Sequence, residues 1–255
     1  MSRSYDCARP RERERGLAAA EAALGRGALV VVPTDTVYGV AADAFAPLAV
    51  DDLLAAKGSG RDAPPPVLVG DPTGLDALAT QVPAWARDLA EAFWPGGLTL
   101  VLPAQPTLAW DLGDTGGRVA LRMPLHPVAL ELLARTGPLA VSGANTVGSP
   151  VPRSAEDARD MLGDAVAVYL DGGACLDEPA SSVVDATGAT PRLLRAGAVP
   201  LALLREVVPD GWDDEEPDAE PDEGVQDPDA EDPDAHDPDV QHEDHDQPQP
   251  EEAAP

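Results

Sequence analysis

The segment Ala28-Leu29-Val30-Val31-Val32 is a nearly unbroken apolar run that stops at Pro33 and gives way to Thr34-Asp35-Thr36-Val37-Tyr38-Gly39. The run has the length and β-branching of a buried strand, and Pro33, which has no N–H for a sheet ladder, ends it. Two hydroxyls, a carboxylate, a phenol and a glycine follow at once. In α/β proteins ligands bind at the carboxyl ends of strands, so this exit is a candidate site. The same residues also suit a plain polar turn whose hydroxyls bond the backbone.

Residues 15–24 are strong helix formers, stopped by Gly25 and Gly27. Further helices are expected at 47–57, with Lys57 at its C-terminal end, and at 73–80 and 84–93 on either side of Pro83. Pro127 suits the first turn of a helix running to 133, and Ser154-Ala-Glu-Asp157 resembles a capping box opening another that runs to 161. Strands are expected at 67–69, 98–102, 119–123, 139–141, 166–170, 182–184 and 192–195. The elements mix without strict βαβ alternation. This predicts a single α/β domain over 15–208 whose sheet is twisted, mixed and partly antiparallel, with helices flanking it.

The formal charge of −29 is unevenly spread: −21 belongs to the 46 residues from Asp210 onward, which hold no Lys or Arg, and −8 to residues 1–209. The tail 210–255 has too little apolar surface to offset chain entropy and is expected to be disordered. Its five-residue repeat over 226–240 reads as low complexity. His236, His242 and His245 stand there among carboxylates, but without the glycine and closing glutamate of an EF-hand loop, so no metal site is assigned. Cys7 and Cys175, the only cysteines, form no close motif, which suits a reducing cytosol. The Arg-rich N-terminus has no apolar stretch behind it, and no run approaches the ~20 residues of a membrane span. A cytoplasmic protein is expected.

Five expected strand exits carry polar residues: Thr34–Tyr38, Arg122, Ser142–Asn145, Ser181-Ser182 and Arg195. One such exit means little, whereas five in one domain suggest a shared concave site for something polar and anionic. Arg122 and Arg195 matter most, because guanidinium forks hold carboxylate and phosphate oxygens bidentately. An arginine taken alone reads equally as a surface ion pair worth ~0–1 kcal/mol. The chain has no P-loop, no Gly-x-Gly-x-x-Gly after a strand, no triad and no zinc pattern, and Gly58-Ser59-Gly60 serves as either a weak anion loop or a flexible connector. Spacing alone names no nucleotide.

Order adds what spacing lacks. Pro33–Gly39, Lys57 closing Ala-Ala-Lys, Trp94-Pro95-Gly96-Gly97-Leu98-Thr99 and Leu121–Pro127 are followed by Ala144-Asn145, Ser181–Asp185 and Leu194-Arg195-Ala196-Gly197. In that sequence they resemble the signature segments of the YrdC-type threonylcarbamoyl-AMP synthases, over about residues 15–205. The resemblance implies a YrdC-like domain that joins L-threonine, bicarbonate (or carbon dioxide) and ATP, with Mg²⁺, into threonylcarbamoyl-AMP and pyrophosphate. Partner proteins would then transfer the threonylcarbamoyl group to tRNA; direct tRNA binding by this chain is left open. Carried over residue by residue, Lys57 and Arg61 are the expected catalytic residues. Thr36, Arg122 and Ser181 would bind threonine, and Lys57, Ser59, Asn145 and Arg195 would bind ATP. Trp94-Pro95-Gly96 reads as architecture.

Two positions depart from the family pattern. Lys-x-Arg is replaced by Lys57-Gly58-Ser59, with the next arginine at Arg61, and Ser-x-Asn is replaced by Gly143-Ala144-Asn145. Arg61 is expected to substitute for the missing arginine. The alternative these departures raise is a degenerate family member that binds nucleotide or RNA without turnover. A carbamoyl-adenylate former like that of hydrogenase-maturation proteins is a third reading, but nothing here resembles their additional domains.

Overall fold

The computed structural model describes residues 2–175 and 179–213, all within the unit Met1–Gly224. Most of the expected tail, from 214 onward and including the repeat and three histidines, lies outside the described residues. Ten strands form one sheet: β1 (Arg3–Asp6), β2 (Leu29–Val32), β3 (Gly39–Asp43), β4 (Val67–Leu68), β5 (Leu98–Pro103), β6 (Arg118–Arg122), β7 (Leu139–Gly143), β8 (Val166–Asp171), β9 (Ser182–Asp185) and β10 (Arg192–Arg195). Their order is β1-β8-β2-β3-β7-β4-β6-β5-β9-β10. Neighbours pair in both senses, antiparallel through β2-β3-β7-β4 and parallel for β1-β8-β2, β4-β6 and β5-β9. The mixed, partly antiparallel sheet expected from the sequence is therefore the one found.

Among the described residues seven α-helices accompany it: α1 (Pro10–Leu24), α2 (Pro47–Lys57), α3 (Gly74–Leu78), α4 (Ala84–Phe93), α5 (Pro127–Thr136), α6 (Ala155–Leu162) and α7 (Leu201–Val207). Where they lie explains the sequence pattern. In the half of the sheet around β2, Val30, Val32, Val141, Val168 and Leu170 pack with Leu17, Ala20 and Leu24 of α1 and Val128 and Leu132 of α5. The alternate residues Leu29, Val31, Val40 and Val166 pack with Leu53 of α2 and Ala155, Ala158 and Leu162 of α6. Both faces are covered, so Leu29–Val32 is apolar at every position.

The other half is built differently. Ala140, Val67, Leu121, Leu100, Val184 and Leu193 stand in register across β7, β4, β6, β5, β9 and β10. All six join one cluster with Leu75, Leu78, Leu89 and Leu204 from α3, α4 and α7. The intervening residues Thr99, Val101, Ala120, Arg122, Val183 and Arg195 line an open cleft instead. Successive strand residues face opposite sides, so one parity builds core and the other builds the cleft floor.

Several boundaries differ from the sequence reading. β1 precedes the expected start at residue 15 and pairs with β8; its polar Arg-Ser-Tyr-Asp carries no strand signal. α1 begins at Pro10, not at 15, with Pro at its first turn. β3 (Gly-Val-Ala-Ala-Asp) is poor in β-forming residues and was not among the expected strands, yet β2 and β7 bond it on both sides. The expected capping box is present, with the Asp157 amide donating to Ser154 Oγ at 3.0 Å and the Ser154 amide to Asp157 Oδ2 at 3.1 Å. At the far end, Trp212, placed in the tail by composition, packs against the cluster of α4 and α7. Its Nε1 donates to the Val208 carbonyl at 2.7 Å, and the Asp213 amide to the Pro191 carbonyl at 2.9 Å. Residues 210–213 thus belong with the sheet.

Trp212→Ala is expected to lower unfolding free energy by about 2 kcal/mol, the scale of losing a partly buried aromatic ring. Urea unfolding of the two proteins measures it; a change below about 0.5 kcal/mol would return Trp212 to the tail.

Candidate active site

The cleft has a volume of about 590 Å³ and is floored by the open parity of the sheet. At its inner end the strand exit after Pro33 folds back on itself. Thr34 Oγ1 donates to the Val37 carbonyl at 2.6 Å and accepts from the amides of Thr36 and Val37 at 3.2 Å each. This hydroxyl-closed turn places Asp35 and Thr36 on one guanidinium. Arg122 donates from Nη1 to Thr36 Oγ1 at 2.9 Å, from Nη2 to Asp35 Oδ1 at 2.7 Å, and from Nε to the Gly96 carbonyl at 3.0 Å. Asp35 Oδ1 also accepts from the Leu125 amide at 2.9 Å. Three of five guanidinium N–H donors are thus engaged, which leaves two for an anion.

Gly96 belongs to a turn that acts as a pedestal. Trp94 is buried with its Nε1 donating to the Leu98 carbonyl at 2.8 Å, and the Gly96 amide donates to the Met123 carbonyl at 2.8 Å. A Cβ on Gly97 would lie 2.6 Å from the Cβ of Ala198, so only glycine allows this close approach. Arg122 is 7 % exposed, and burial pulls its pKa below the ordinary value while the Asp35 carboxylate opposes that shift. Arg195 also lowers it by repulsion, so two guanidinium groups share the cleft.

Arg195 is positioned by Ser181, donating from Nε to its carbonyl at 3.1 Å and from Nη2 to its Oγ at 3.2 Å. Ser181 Oγ also bonds Thr99 Oγ1 at 2.8 Å. Thr36, Arg122, Ser181 and Arg195 therefore converge, as the sequence predicted, and Thr99 and Asp35 join them. Sequence reasoning passed over Thr99; its odd parity against Leu98, Leu100 and Leu102 was the available signal.

Lys57 closes α2, with Gly58 in the left-handed conformation (φ 72°) behind it. Its Nζ is buried and donates to the Gly143 carbonyl at 2.6 Å, the Asn145 carbonyl at 3.0 Å and Asn145 Oδ1 at 3.3 Å. Asn145 Nδ2 is turned inward, donating to the Thr146 and Ser149 carbonyls at 3.3 and 2.8 Å. Lys57 lines the cleft and Asn145 does not. The geometry makes Asn145 a holder of Lys57 and its turn, where the sequence reading had it bonding the nucleotide.

The two remaining predicted residues stand elsewhere. Arg61 ion-pairs with Asp51 at 2.8 Å and Asp111 at 2.6 Å, with Asp114 at 3.9 Å, and its side chain is 43 % exposed. Its own carbonyl accepts from the Asp114 amide at 2.7 Å. Arg61 is a staple between α2, its following loop and the 111–114 loop; neither it nor Ser59 lines the cleft. The Ser59 amide caps α2 by bonding the Leu54 carbonyl at 2.9 Å. Asp51 in α2 and two aspartates about fifty residues away outcompete the cleft for Arg61, and no local pattern announces the distant pair.

Tyr38 and the two cysteines are held toward their protonated forms. Tyr38 is fully buried, its hydroxyl donating to the Gly173 carbonyl at 2.6 Å, and burial pushes its pKa upward. Burial pushes the Cys7 thiol up to about 11 and raises that of Cys175. What the cleft offers is mainly cations, hydroxyls and N–H donors, with Asp62 and Asp114 also among its lining residues. Such a site binds and aligns anions.

The glycine at 143 is matched to this arrangement: a Cβ there would lie 2.8 Å from Asn145 Oδ1 and 3.3 Å from Val151 Cγ1. Gly143→Ser and Asn145→Ala are each expected to destabilise the fold by about 1–3 kcal/mol, through overpacking and lost hydrogen bonds respectively. Because the first clashes with what the second removes, the double variant should lose less than the two losses added together. Strict additivity in urea unfolding would contradict the contact.

Comparison with known proteins agrees with this geometry. The sequence profile of the Sua5/YciO/YrdC family, described as "Telomere recombination", matches residues 22–197. A Mycobacterium tuberculosis protein named "Putative threonylcarbamoyl-AMP synthase" is 54% identical over 208 residues, covering 82% of this chain and 96% of its own. The threonylcarbamoyl-AMP synthase of Pyrococcus abyssi is 38% identical over 185 residues, 71% of this chain and 54% of that protein. The crystal structure of P. abyssi Sua5 complexed with L-threonine superposes with a TM-score of 0.76 at 33% identity, covering 82% of this chain and 61% of that one. This chain therefore spans only about six-tenths of the solved Pyrococcus chain. With the strand-exit clamp, the pedestal turn and the buried lysine in place, and with that profile spanning most of the sheet, the chain belongs to the Sua5/YciO/YrdC family.

Proposed function

We propose that this protein is an L-threonylcarbamoyladenylate synthase: it joins L-threonine, bicarbonate or carbon dioxide, and ATP into threonylcarbamoyl-AMP and pyrophosphate. The observation that carries the reading is Arg122, pinned by Asp35, Thr36 and Gly96 with two N–H donors unspent in a cleft shared with Arg195. A pinned guanidinium fork suits an amino-acid carboxylate. The Pyrococcus relative is solved in complex with L-threonine, which supports threonine as the amino acid.

The chemistry needs no side-chain nucleophile. The threonine amine adds to carbon dioxide and loses a proton, giving a carbamate. A carbamate oxygen then bonds to the α-phosphorus of ATP, the bond from that phosphorus to the bridging oxygen breaks, and its electron pair leaves with pyrophosphate. The chain's part is alignment and charge neutralisation. Arg122 holds the threonine carboxylate, Thr36 and Ser181 lie beside it as hydroxyl partners, Lys57 meets phosphate, and Arg195 meets phosphate or ribose. Among the described residues no three His, Cys, Asp or Glu gather as a metal cluster. Asp62 and Asp114 are among the residues lining the cleft, and such donors would suit Mg²⁺ carried by substrate phosphates and one or two carboxylates. Mg²⁺ bound there would neutralise phosphate charge. No helix of the described residues is long and apolar enough to cross a membrane. A cytoplasmic enzyme supplying tRNA-modifying transfer proteins fits these features.

Incubation with labelled threonine, bicarbonate and ATP should yield threonylcarbamoyl-AMP and threonine-dependent pyrophosphate. Arg122→Lys, which keeps the charge but loses the fork, should raise the KM for threonine by about ten- to a hundredfold with the KM for ATP little changed. ATP binding without any labelled product would leave the degenerate, binding-only reading in place.

A further inference from the structure

Arg118 opens β6 on the same parity as Ala120 and Arg122, and all three line the cleft. Four strand residues separate positions by ~13 Å, so Arg118 stands at the far reach of the floor from the Arg122 clamp. Leu112, Asp114 and Thr115 and the segment from Asp62 to Pro66 line the same cleft. Glycines at 113, 116 and 117, all at positive φ, form the turn that delivers it. A Cβ at 116 would lie 3.9 Å from its Nε and Nη2, and one at 117 would meet nothing.

The cations of the cleft differ in how far they are already committed. Arg122 has three short partners, Lys57 is buried against Gly143 and Asn145, and Arg195 rests on Ser181. Arg61 is spent on aspartates outside. Arg118 is exposed, and among the described residues its side chain makes one hydrogen bond, a long one from Nε to the Thr115 carbonyl at 3.4 Å. A guanidinium so lightly held is ready to take phosphate oxygens bidentately. It also stands toward solvent, the direction in which a leaving polyphosphate must travel.

We propose that Arg118 is a substrate-binding residue that holds the β- and γ-phosphates of ATP, and then the departing pyrophosphate, at the outer end of the cleft. The inference rests on the synthase reading for the identity of the nucleotide. It assigns to β6 both ends of the ligand path, threonine carboxylate at Arg122 and pyrophosphate at Arg118.

Calorimetric titration of the full chain with ATP, AMP, inorganic pyrophosphate and L-threonine tests it, using the parent, Arg118→Ala and Arg118→Lys. Arg118→Ala should weaken ATP and pyrophosphate binding by about ten- to a hundredfold, leave AMP and threonine within about twofold, and be partly rescued by lysine. Thermal unfolding of the variants should match the parent, since the side chain is exposed. Unchanged ATP affinity, or equal weakening of AMP and ATP, overturns the assignment; the second result would place Arg118 at the base or ribose. The two readings fail separately. A parent that binds ATP through Arg118 yet releases no pyrophosphate sinks the synthase activity alone. A parent that turns over with Arg118→Ala indistinguishable from it sinks this inference alone, and a parent that binds no ATP sinks both.

Discussion

The buried ion pair between Arg122 and Asp35 is the point on which the molecule turns. It joins the end of β2, the pedestal turn before β5 and the end of β6, three segments far apart in sequence. Its side chains are 8 % and 16 % exposed, so the charges have given up most of their water. A pair in that position adds little stability over well-packed apolar groups, whereas removing one partner costs about 3–5 kcal/mol. Its physical value lies in direction. Thr36 and the Gly96 carbonyl fix the plane of the guanidinium before any ligand arrives, so alignment is established during folding and not during catalysis.

Lys57 illustrates a second form of preorganisation. An ammonium buried at a helix C-terminus has the carbonyls of Gly143 and Asn145 as short partners, and the helix end adds its own negative potential. Asn145 matters because it braces this lysine from behind. The loss of a serine at 143 relative to the family pattern is consistent with that bracing, since the added atoms would press on the amide oxygen that Lys57 uses.

Much of this was legible from the sequence. Leu29–Val32 announced a strand covered on both faces, and the polar exits at Thr36, Arg122, Ser181 and Arg195 do meet in one cleft. Local signals sufficed there because strand ends are marked by their own residues. β1 and β3 escaped notice because their composition is polar or alanine-rich and only pairing makes them strands. The role of Arg61 was misread for the same reason: Asp111 and Asp114 lie about fifty residues away, and nothing near Arg61 betrays them. Trp212 was misplaced because the charge around it masked one ring with a core to join.

The division of β5, β6 and β9 by parity has a consequence for how such proteins diversify. Leu98, Leu100 and Leu102 answer to the core, while Thr99 and Val101, interleaved with them, answer to whatever occupies the cleft. Ala120, on the same floor, sits between the two arginines of β6. Selection acting on one set leaves the other nearly untouched. Lineages sharing this sheet can drift in what they accept while inheriting the same folding problem, already solved.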